Sequence, residues 1–185
     1  MDSEQPKKKV YIEEELFEKI QGGDKDAFKK LYENSYKPLF AFLLSFTQNS
    51  EDAQDLLQDT YLQIYQKSHL YKSDGNPMAW MMKIAKNLFL MKYRKEKEKQ
   101  FVRYEEMENE LGFAQISDVE NKLLLETMFS ELSGEDREII IMHDVGGLTF
   151  REIAGVLGKP IGTVLARYNR NIRKLQKKFS KEVAR

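Results

Sequence analysis

The chain has 185 residues, of which 41% are hydrophobic and 32% charged, with 30 basic and 30 acidic side chains. This length accommodates one ordinary domain or two small ones, and the apolar share is large enough to build packed cores. The sequence contains no cysteine, which excludes disulfides, thiolate metal sites and a cysteine nucleophile. No apolar run approaches the length of a membrane span and the N-terminus lacks the apolar stretch of a signal peptide, so we expect a cytoplasmic protein.

Helical periodicity dominates the first half of the chain. Apolar residues at three-to-four spacing predict a helix whose buried face is Phe28, Leu31, Tyr32, Leu39, Phe42, Leu43 and Phe46. Pro38 should kink or split this helix. Ser50 is expected to cap the next helix, whose predicted buried face is Ala53, Leu56, Leu57, Thr60, Tyr61 and Ile64. Pro77 begins a further helix, whose predicted core face is Met78, Met81, Ile84, Ala85, Leu88 and Met91.

An acidic segment separates two apolar patterns. Between residues 104 and 120 there are six acidic residues and no basic one, a composition typical of a linker. A second apolar pattern follows from Leu123 to Leu175, and no segment alternates as a strand would. The sequence therefore predicts an all-α fold of two helical domains, at 11–95 and 119–182, joined by an acidic linker at 96–118.

Residues 150–169 fit a helix-turn-helix. Gly158 lies at the turn, where a positive φ is easiest for glycine, Pro160 begins the second helix, and Val164 is its buried anchor. Nine basic residues and one acidic residue lie between positions 159 and 185, a charge pattern typical of binding to a duplex backbone. Three of these cations recur at three-to-four spacing, so we expect them to reach phosphates together: Arg167, Arg170 and Lys174.

A second basic helix is predicted at 79–99, where seven basic residues stand against two acidic ones. One stripe of this helix, away from the core face, carries Trp80, Lys83, Asn87 and Arg94. An exposed aromatic ring beside cations and an amide can stack an unpaired base and hold its phosphates. The polar loop His69 to Asn76 precedes this helix and has the composition to shape a pocket for such a base. The alternative is that Trp80 is a half-buried core residue.

The helix before this loop has the opposite charge. Residues 47–66 contain four carboxylates and no lysine or arginine, and Asp52, Asp55 and Asp59 recur on one face. Carboxylates at this spacing can bind a metal, but no histidine is near. A face complementary to a basic partner is the better interpretation.

These motifs together resemble a known family. Two stretches of the first predicted domain resemble region 2 of the extracytoplasmic-function (ECF) type of bacterial RNA polymerase sigma factor: DAFKKLYENSYKPLFAFLLSFTQNSEDAQDLLQDTYLQIYQ and NPMAWMMKIAKN. LSGEDREIIIMHDVGGLTFREIAGVLGKPIGTVLARYNRNIRKL resembles region 4 of the same family. The likeness covers nearly everything from Asp24 to Leu175 outside the linker. It implies a protein that directs RNA polymerase core to promoters, with no catalytic residues, cofactor or metal of its own.

The resemblance assigns roles to the matching positions. Region 2 of the family docks on the clamp helices of the largest polymerase subunit, which implies contacts by Asp52, Asp55, Leu56, Gln58 and Asp59. It also recognises the single-stranded −10 element, which implies contacts by His69, Lys72, Asn76, Trp80, Lys83, Lys86 and Asn87. Region 4 reads the −35 element and contacts the polymerase flap, and the matching DNA-binding positions are Thr163, Leu165, Ala166, Arg167, Asn169, Arg170 and Lys174. Family members are commonly held inactive by an anti-sigma factor, and their linker threads toward the active-site cleft.

Two departures from the family pattern stand out. Met91 replaces a frequently acidic residue, and Leu165 and Ala166 replace a frequent Lys-Ser pair from which a helix-turn-helix reads base edges. Direct readout of bases is therefore expected to be weaker here. Three alternatives are a helix-turn-helix regulator that never binds polymerase core, a helical interaction module, and an enzyme. The two histidines, His69 and His143, lie far apart in the sequence, which argues against an enzyme.

Overall fold

The computed structural model describes residues 10–73, 75–99 and 131–183, and every structural statement here concerns those residues. They form seven α-helices, one 3₁₀ turn (Ser68–Leu70) and one π-helical turn (Ile141–Val145), with no strand. In chain order the helices are α1 (Glu15–Gln21), α2 (Lys25–Thr47), α3 (Ser50–Lys67), α4 (Pro77–Lys99), α5 (Gly134–Ile140), α6 (Phe150–Leu157) and α7 (Ile161–Val183). The all-α prediction is confirmed. The acidic segment at 104–120 lies outside the described residues.

Helices α1 to α4 form the first domain, in which α2, α3 and α4 all contact one another. The predicted buried face of α3 is confirmed at each of its six positions. Pro38 does not split α2, which continues without interruption to Thr47 with the proline ring buried inside it. Ser50 is not the N-cap of α3. That position belongs to Asn49, whose side chain accepts hydrogen bonds from the backbone N–H groups of Glu51 and Asp52 at 2.9 and 3.1 Å.

Helix α4 begins at Pro77 as predicted, but its buried face is shifted from the predicted one. Met78, Met81 and Ala85 are fully buried as expected, and Met82 joins them at 0% exposure. Met91 is 59% exposed, so its assignment to the core is wrong. The core face of α4 is therefore concentrated in its first nine residues, and the C-terminal part leaves the core.

The second domain consists of α5, the π-helical turn, α6 and α7. A capping box starts α6: the Thr149 N–H donates to Glu152 Oε2 at 2.7 Å, and the Glu152 N–H donates to Thr149 Oγ1 at 3.3 Å. Gly158 ends α6 with φ 64°, and Val164 is fully buried in α7. Both features confirm the predicted helix-turn-helix, in which α7 begins one residue after Pro160.

The two domains pack against each other. Helix α2 contacts α5 and the π-helical turn, and α4 contacts α6. A Cβ atom added to Gly146 would lie 2.7 Å from Met82 Cε, so the Met82 side chain packs directly on the Gly146 backbone. Beside this contact, Lys86 Nζ lies 2.8 Å from Glu138 Oε2, with side chains only 19% and 8% exposed. An almost dry ion pair thus joins α4 to α5.

This ion pair generates the first prediction. Replacing Lys86 with Gln leaves the Glu138 carboxylate buried without its nearest cation, which should destabilise the packed arrangement by about 1–3 kcal/mol. Urea unfolding and the radius of gyration from X-ray scattering measure this destabilisation of the packed arrangement. The matched control is Lys83→Gln, one turn away and exposed on the same helix. Equal effects of the two variants would contradict the importance of the pair.

The destabilisation caused by Lys86→Gln should also depend on pH. Burial raises the pKa of Glu138 above its ordinary value of 4.5, while Lys86 acts in the opposite direction. The folded protein therefore takes up this proton at a higher pH than the unfolded chain does. The difference between wild type and Lys86→Gln should accordingly shrink as the pH falls toward 4.5, because a neutral Glu138 no longer needs the cation.

Candidate polymerase and nucleic-acid interfaces

Helix α3 presents an exposed acidic row. Asp52, Asp55, Gln58 and Asp59 all lie on the surface, and within the described chain none of the three aspartates is paired with a cation. Leu56 is different, because its side chain is 2% exposed and packs in the core. Its assignment as a polymerase contact is therefore corrected: Leu56 supports α3 from within and cannot reach a partner.

An aromatic groove borders this acidic row. It lies between α2 and α3 and is lined by Phe28, Tyr32, Leu57, Gln58, Tyr61, Leu62 and Tyr65. Leu62 and Tyr65 are 55% and 48% exposed, although both are large and apolar. Sequence reasoning missed this groove. The available signal was the presence of apolar residues at α3 positions outside its predicted core face.

The floor of the groove is rigid. Tyr61 is 5% exposed, and its hydroxyl lies 2.7 Å from Ser35 Oγ, which itself donates to the Leu31 carbonyl at 2.6 Å. Burial raises the pKa of Tyr61, so it stays neutral. A buried, satisfied hydroxyl pair therefore fixes α2 against α3 beneath the exposed aromatic rim.

The loop before α4 is built around an aromatic trio. Tyr71 stacks on Phe17 with ring centroids 4.2 Å apart, and Trp80 meets both rings edge-on at 5.4 and 5.5 Å. Trp80 is half-buried, so it is both a packing residue and a partly accessible ring. Asn76 has a structural role as well, because its Oδ1 accepts from the Met78 N–H at 2.9 Å at the start of α4.

The remaining positions assigned to the −10 element divide into two groups. His69, Lys72, Lys83 and Asn87 are exposed, and Lys83 and Asn87 lie one turn apart on the outer face of α4. Lys86 instead faces the second domain, where it pairs with Glu138 and lies 5.7 Å from the centre of the Phe46 ring. In this arrangement Lys86 is not available to a nucleic acid.

Helix α7 exposes most of the positions assigned to the −35 element. Thr163, Ala166, Asn169, Arg170 and Lys174 are exposed, whereas Leu165 and Arg167 are half-buried. Leu165 is therefore only partly accessible to a base edge.

The cations of α7 face acidic residues at and before α5. Arg167 pairs with Glu135 and with Asp136, whose Oδ1 lies 3.1 Å from Arg167 Nε and 3.7 Å from an Arg170 terminal nitrogen. Lys174 and Lys178 pair with Glu131 at 3.4 and 2.9 Å. Lys178 and Lys174 hold the pKa of Glu131 below its usual range.

The histidine of the second domain has packing partners. His143 packs within the second domain, where its Nδ1 lies 2.8 Å from the Leu148 carbonyl and its ring stacks on Phe150. Over residues 10–73, 75–99 and 131–183, no group of three or more His, Asp or Glu side chains is arranged to hold a metal ion. None of the helices in this part of the chain is both long and apolar enough to cross a membrane.

Comparison with known proteins identifies the two domains. The family model described as sigma-70 region 2 matches residues 31–99, and that described as sigma-70, region 4 matches residues 122–175. The ECF RNA polymerase sigma-E factor of Escherichia coli (strain K12) is 27% identical over 165 residues, covering 82% of this chain and 86% of that protein. The chain belongs to the ECF sigma factors. The RNA polymerase sigma factor YlaC of Bacillus subtilis (strain 168) is 25% identical over 166 residues, covering 85% of this sigma factor and 94% of YlaC.

Solved structures agree with this assignment. This sigma factor superposes with a TM-score of 0.63 on the sigma factor RpoE of Bartonella quintana, solved with the anti-sigma factor NepR, at 26% identity over 83% of this chain and 96% of that one. CnrH, solved with the cytosolic domain of CnrY, gives the same TM-score at 23% identity over 91% and 97% of the two chains, and shares the fold. The family directs RNA polymerase core to promoters, and so does this sigma factor.

The aromatic trio yields the second prediction. Trp80→Ala should lower the free energy of unfolding by about 3 kcal/mol, the low end for truncation of a packed aromatic ring, because Phe17 and Tyr71 lose their neighbour. Met91→Ala on the same helix is the control and should change it by less than about 0.5 kcal/mol. Thermal or urea unfolding measures both. A stable Trp80→Ala protein would mean that the ring is not part of the core.

Proposed function

We propose that this sigma factor divides its contacts among three surfaces: the α3 row for polymerase core, the outer face of α4 for the −10 strand, and α7 for the −35 duplex. The observation that supports this division best is the exposed acidic row Asp52, Asp55 and Asp59, which pairs with no cation among the described residues, on a chain whose formal net charge is zero. Such a row is complementary to a basic protein surface and repels DNA.

Core binding is supported by more than charge. The aromatic groove lies directly beside the acidic row because Gln58 belongs to both. Exposed apolar patches of this kind mark surfaces that a partner covers. We therefore propose that a polymerase helix with basic and apolar faces lies along α3, with Asp55 and Asp59 steering it and Leu62 and Tyr65 packing against it. A regulator that acts without polymerase needs no such surface.

The −10 contacts are proposed for the loop and the outer face of α4. Lys83 and Asn87 supply a cation and an amide one turn apart, and the accessible part of the Trp80 ring offers a stacking surface. Stacking of one base contributes about 1–3 kcal/mol. His69 and Lys72 are exposed on either side of Tyr71, whose ring contacts Trp80, so this segment lies next to the start of α4.

The −35 contacts are proposed for α7 in the major groove. Thr163, Ala166 and Asn169 are exposed on the helix that follows the Gly158 turn, which is the recognition helix of a helix-turn-helix. Alanine makes no polar base contact, so affinity would come largely from phosphate contacts and DNA shape. We also infer a partner that inhibits the free protein, since the Bartonella quintana relative was solved with an anti-sigma factor.

Run-off transcription tests the proposal as a whole. Purified polymerase core, this protein and genomic fragments are combined, and transcripts that depend on both proteins are sequenced. Recovery of transcripts with shared upstream elements is the expected result. A protein that binds DNA but yields no transcript with core polymerase would favour the alternative of a regulator that acts alone.

The third prediction concerns the acidic row. The double variant Asp55→Lys/Asp59→Lys should weaken core binding at least tenfold, because two attractive charges become repulsive, while unfolding stays unchanged. Affinity is measured by a fluorescence titration of core polymerase. The matched control is Glu15→Lys/Glu18→Lys, two exposed carboxylates one turn apart on α1. Equal weakening by both double variants would show that core binding depends only on net charge and not on the position of the acidic row.

A further inference from the structure

Helix α7 carries two rows of cations that differ in their surroundings. At about 100° per residue, Arg173 and Lys177 each lie within about 20° of Ala166 around the helix axis. They lie opposite the buried side of the helix, which is marked by Val164 and Leu175 at 0% and 6% exposure. Arg167, Lys174 and Lys178 follow a second line, about 100° away, and this line faces Glu131, Glu135 and Asp136.

Arg167 is fixed in place by its partners. Its side chain is 25% exposed, and it bridges Glu135 and Asp136, the latter only 11% exposed. Ser133 Oγ donates to the other Asp136 oxygen at 2.8 Å, which holds the carboxylate in position. If Arg167 turned toward a phosphate, Asp136 would stay nearly buried without its closest cation, and that loss opposes the gain from the phosphate. The guanidinium therefore joins α7 to α5.

Arg173 differs from Arg167 in its exposure and in its partners. It is exposed, and within the described chain no carboxylate forms an ion pair with it. It lies seven residues beyond Ala166, which is about 10 Å along the helix axis. A B-DNA major groove is about 12 Å wide. With Ala166 facing the bases, the Arg173 guanidinium reaches the backbone at the edge of the groove.

Resting on the proposed binding of α7 to the −35 duplex, we propose that Arg173 is an additional DNA-backbone contact and that Arg167 is a positioning residue that sets the tilt of α7 through Glu135 and Asp136. The family resemblance pointed to Arg167 as a DNA contact and not to Arg173. The geometry favours the opposite assignment, because among the described residues carboxylates pair with the line of Arg167 and none pairs with Arg173.

The test uses holoenzyme assembled from polymerase core and the full chain, with a promoter fragment recovered by run-off transcription as the probe. Its affinity is measured at several salt concentrations. Arg173→Gln should lower the slope of log affinity against log salt by about one unit and leave the melting temperature unchanged. Lys29→Gln, which removes an exposed cation from α2, is the control and should leave the slope unchanged.

Arg167→Gln should leave the slope unchanged but alter which −35 sequences are preferred, because α7 shifts relative to the groove. In a Glu135→Gln/Asp136→Asn background the same substitution should have no further effect on base preference. A loss of one unit of slope with Arg167→Gln in both backgrounds, or an unchanged slope with Arg173→Gln, would overturn the inference. Failure of the wild-type holoenzyme to bind any recovered fragment at its −35 region would instead contradict the proposed function, and this inference with it.

Discussion

Burial of the methionine face of α4 determines where the other functional parts of the molecule lie. Met78, Met81 and Met82 are each 0% exposed. On one side this face packs against α2 and α3, and on the other side α4 meets the second domain at Gly146. Because successive helical residues are about 100° apart, burying these three side chains forces Lys83 to the outside. One packing constraint thus orients the proposed nucleic-acid surface and joins two domains.

Electrostatics is arranged by surface rather than by the chain as a whole. The formal net charge of zero conceals an acidic α3, a basic outer face on α4 and a basic α7. Within the second domain a further division occurs: Glu131, Glu135 and Asp136 pair with one line of α7 cations, whereas no carboxylate of the described residues pairs with Arg173. Internal acidic residues therefore distinguish the two lines of α7 cations, and under the proposed −35 binding the line of Arg173 is the one open to a DNA backbone.

The sequence predicted those features that depend on local periodicity and turn chemistry. The α3 face, the start of α4 at Pro77 and the Gly158 turn follow from spacing and backbone preference, and all three are present. Leu56 shows that helical periodicity predicts burial better than the family resemblance does. Its periodicity placed it in the core while the family resemblance made it a surface contact, and the core position is correct because burial follows the helical repeat.

What the sequence did not predict depends on contacts between distant segments. Met82 packs against Gly146 of the second domain, a partner that lies more than 60 residues away and that the α4 repeat cannot identify. Likewise, spacing placed Arg167 and Lys174 on one side of α7 but could not show that α5 brings carboxylates to that side. The continuity of α2 through Pro38 has a similar origin, since buried Leu31 and Leu39 hold both halves of the helix in the core.

The packing of the two domains has a consequence for promoter recognition. Lys86 pairs with Glu138 at 2.8 Å, yet it occupies a position that the family resemblance assigns to the −10 strand. One ammonium group cannot serve a nearly dry carboxylate and a phosphate at the same time. If the −10 strand takes Lys86, domain packing and strand binding are linked, and each must weaken the other by the same free energy. Lys86 is then withheld from the strand while the domains are packed, whereas Lys83 and Asn87 stay exposed on the same helix.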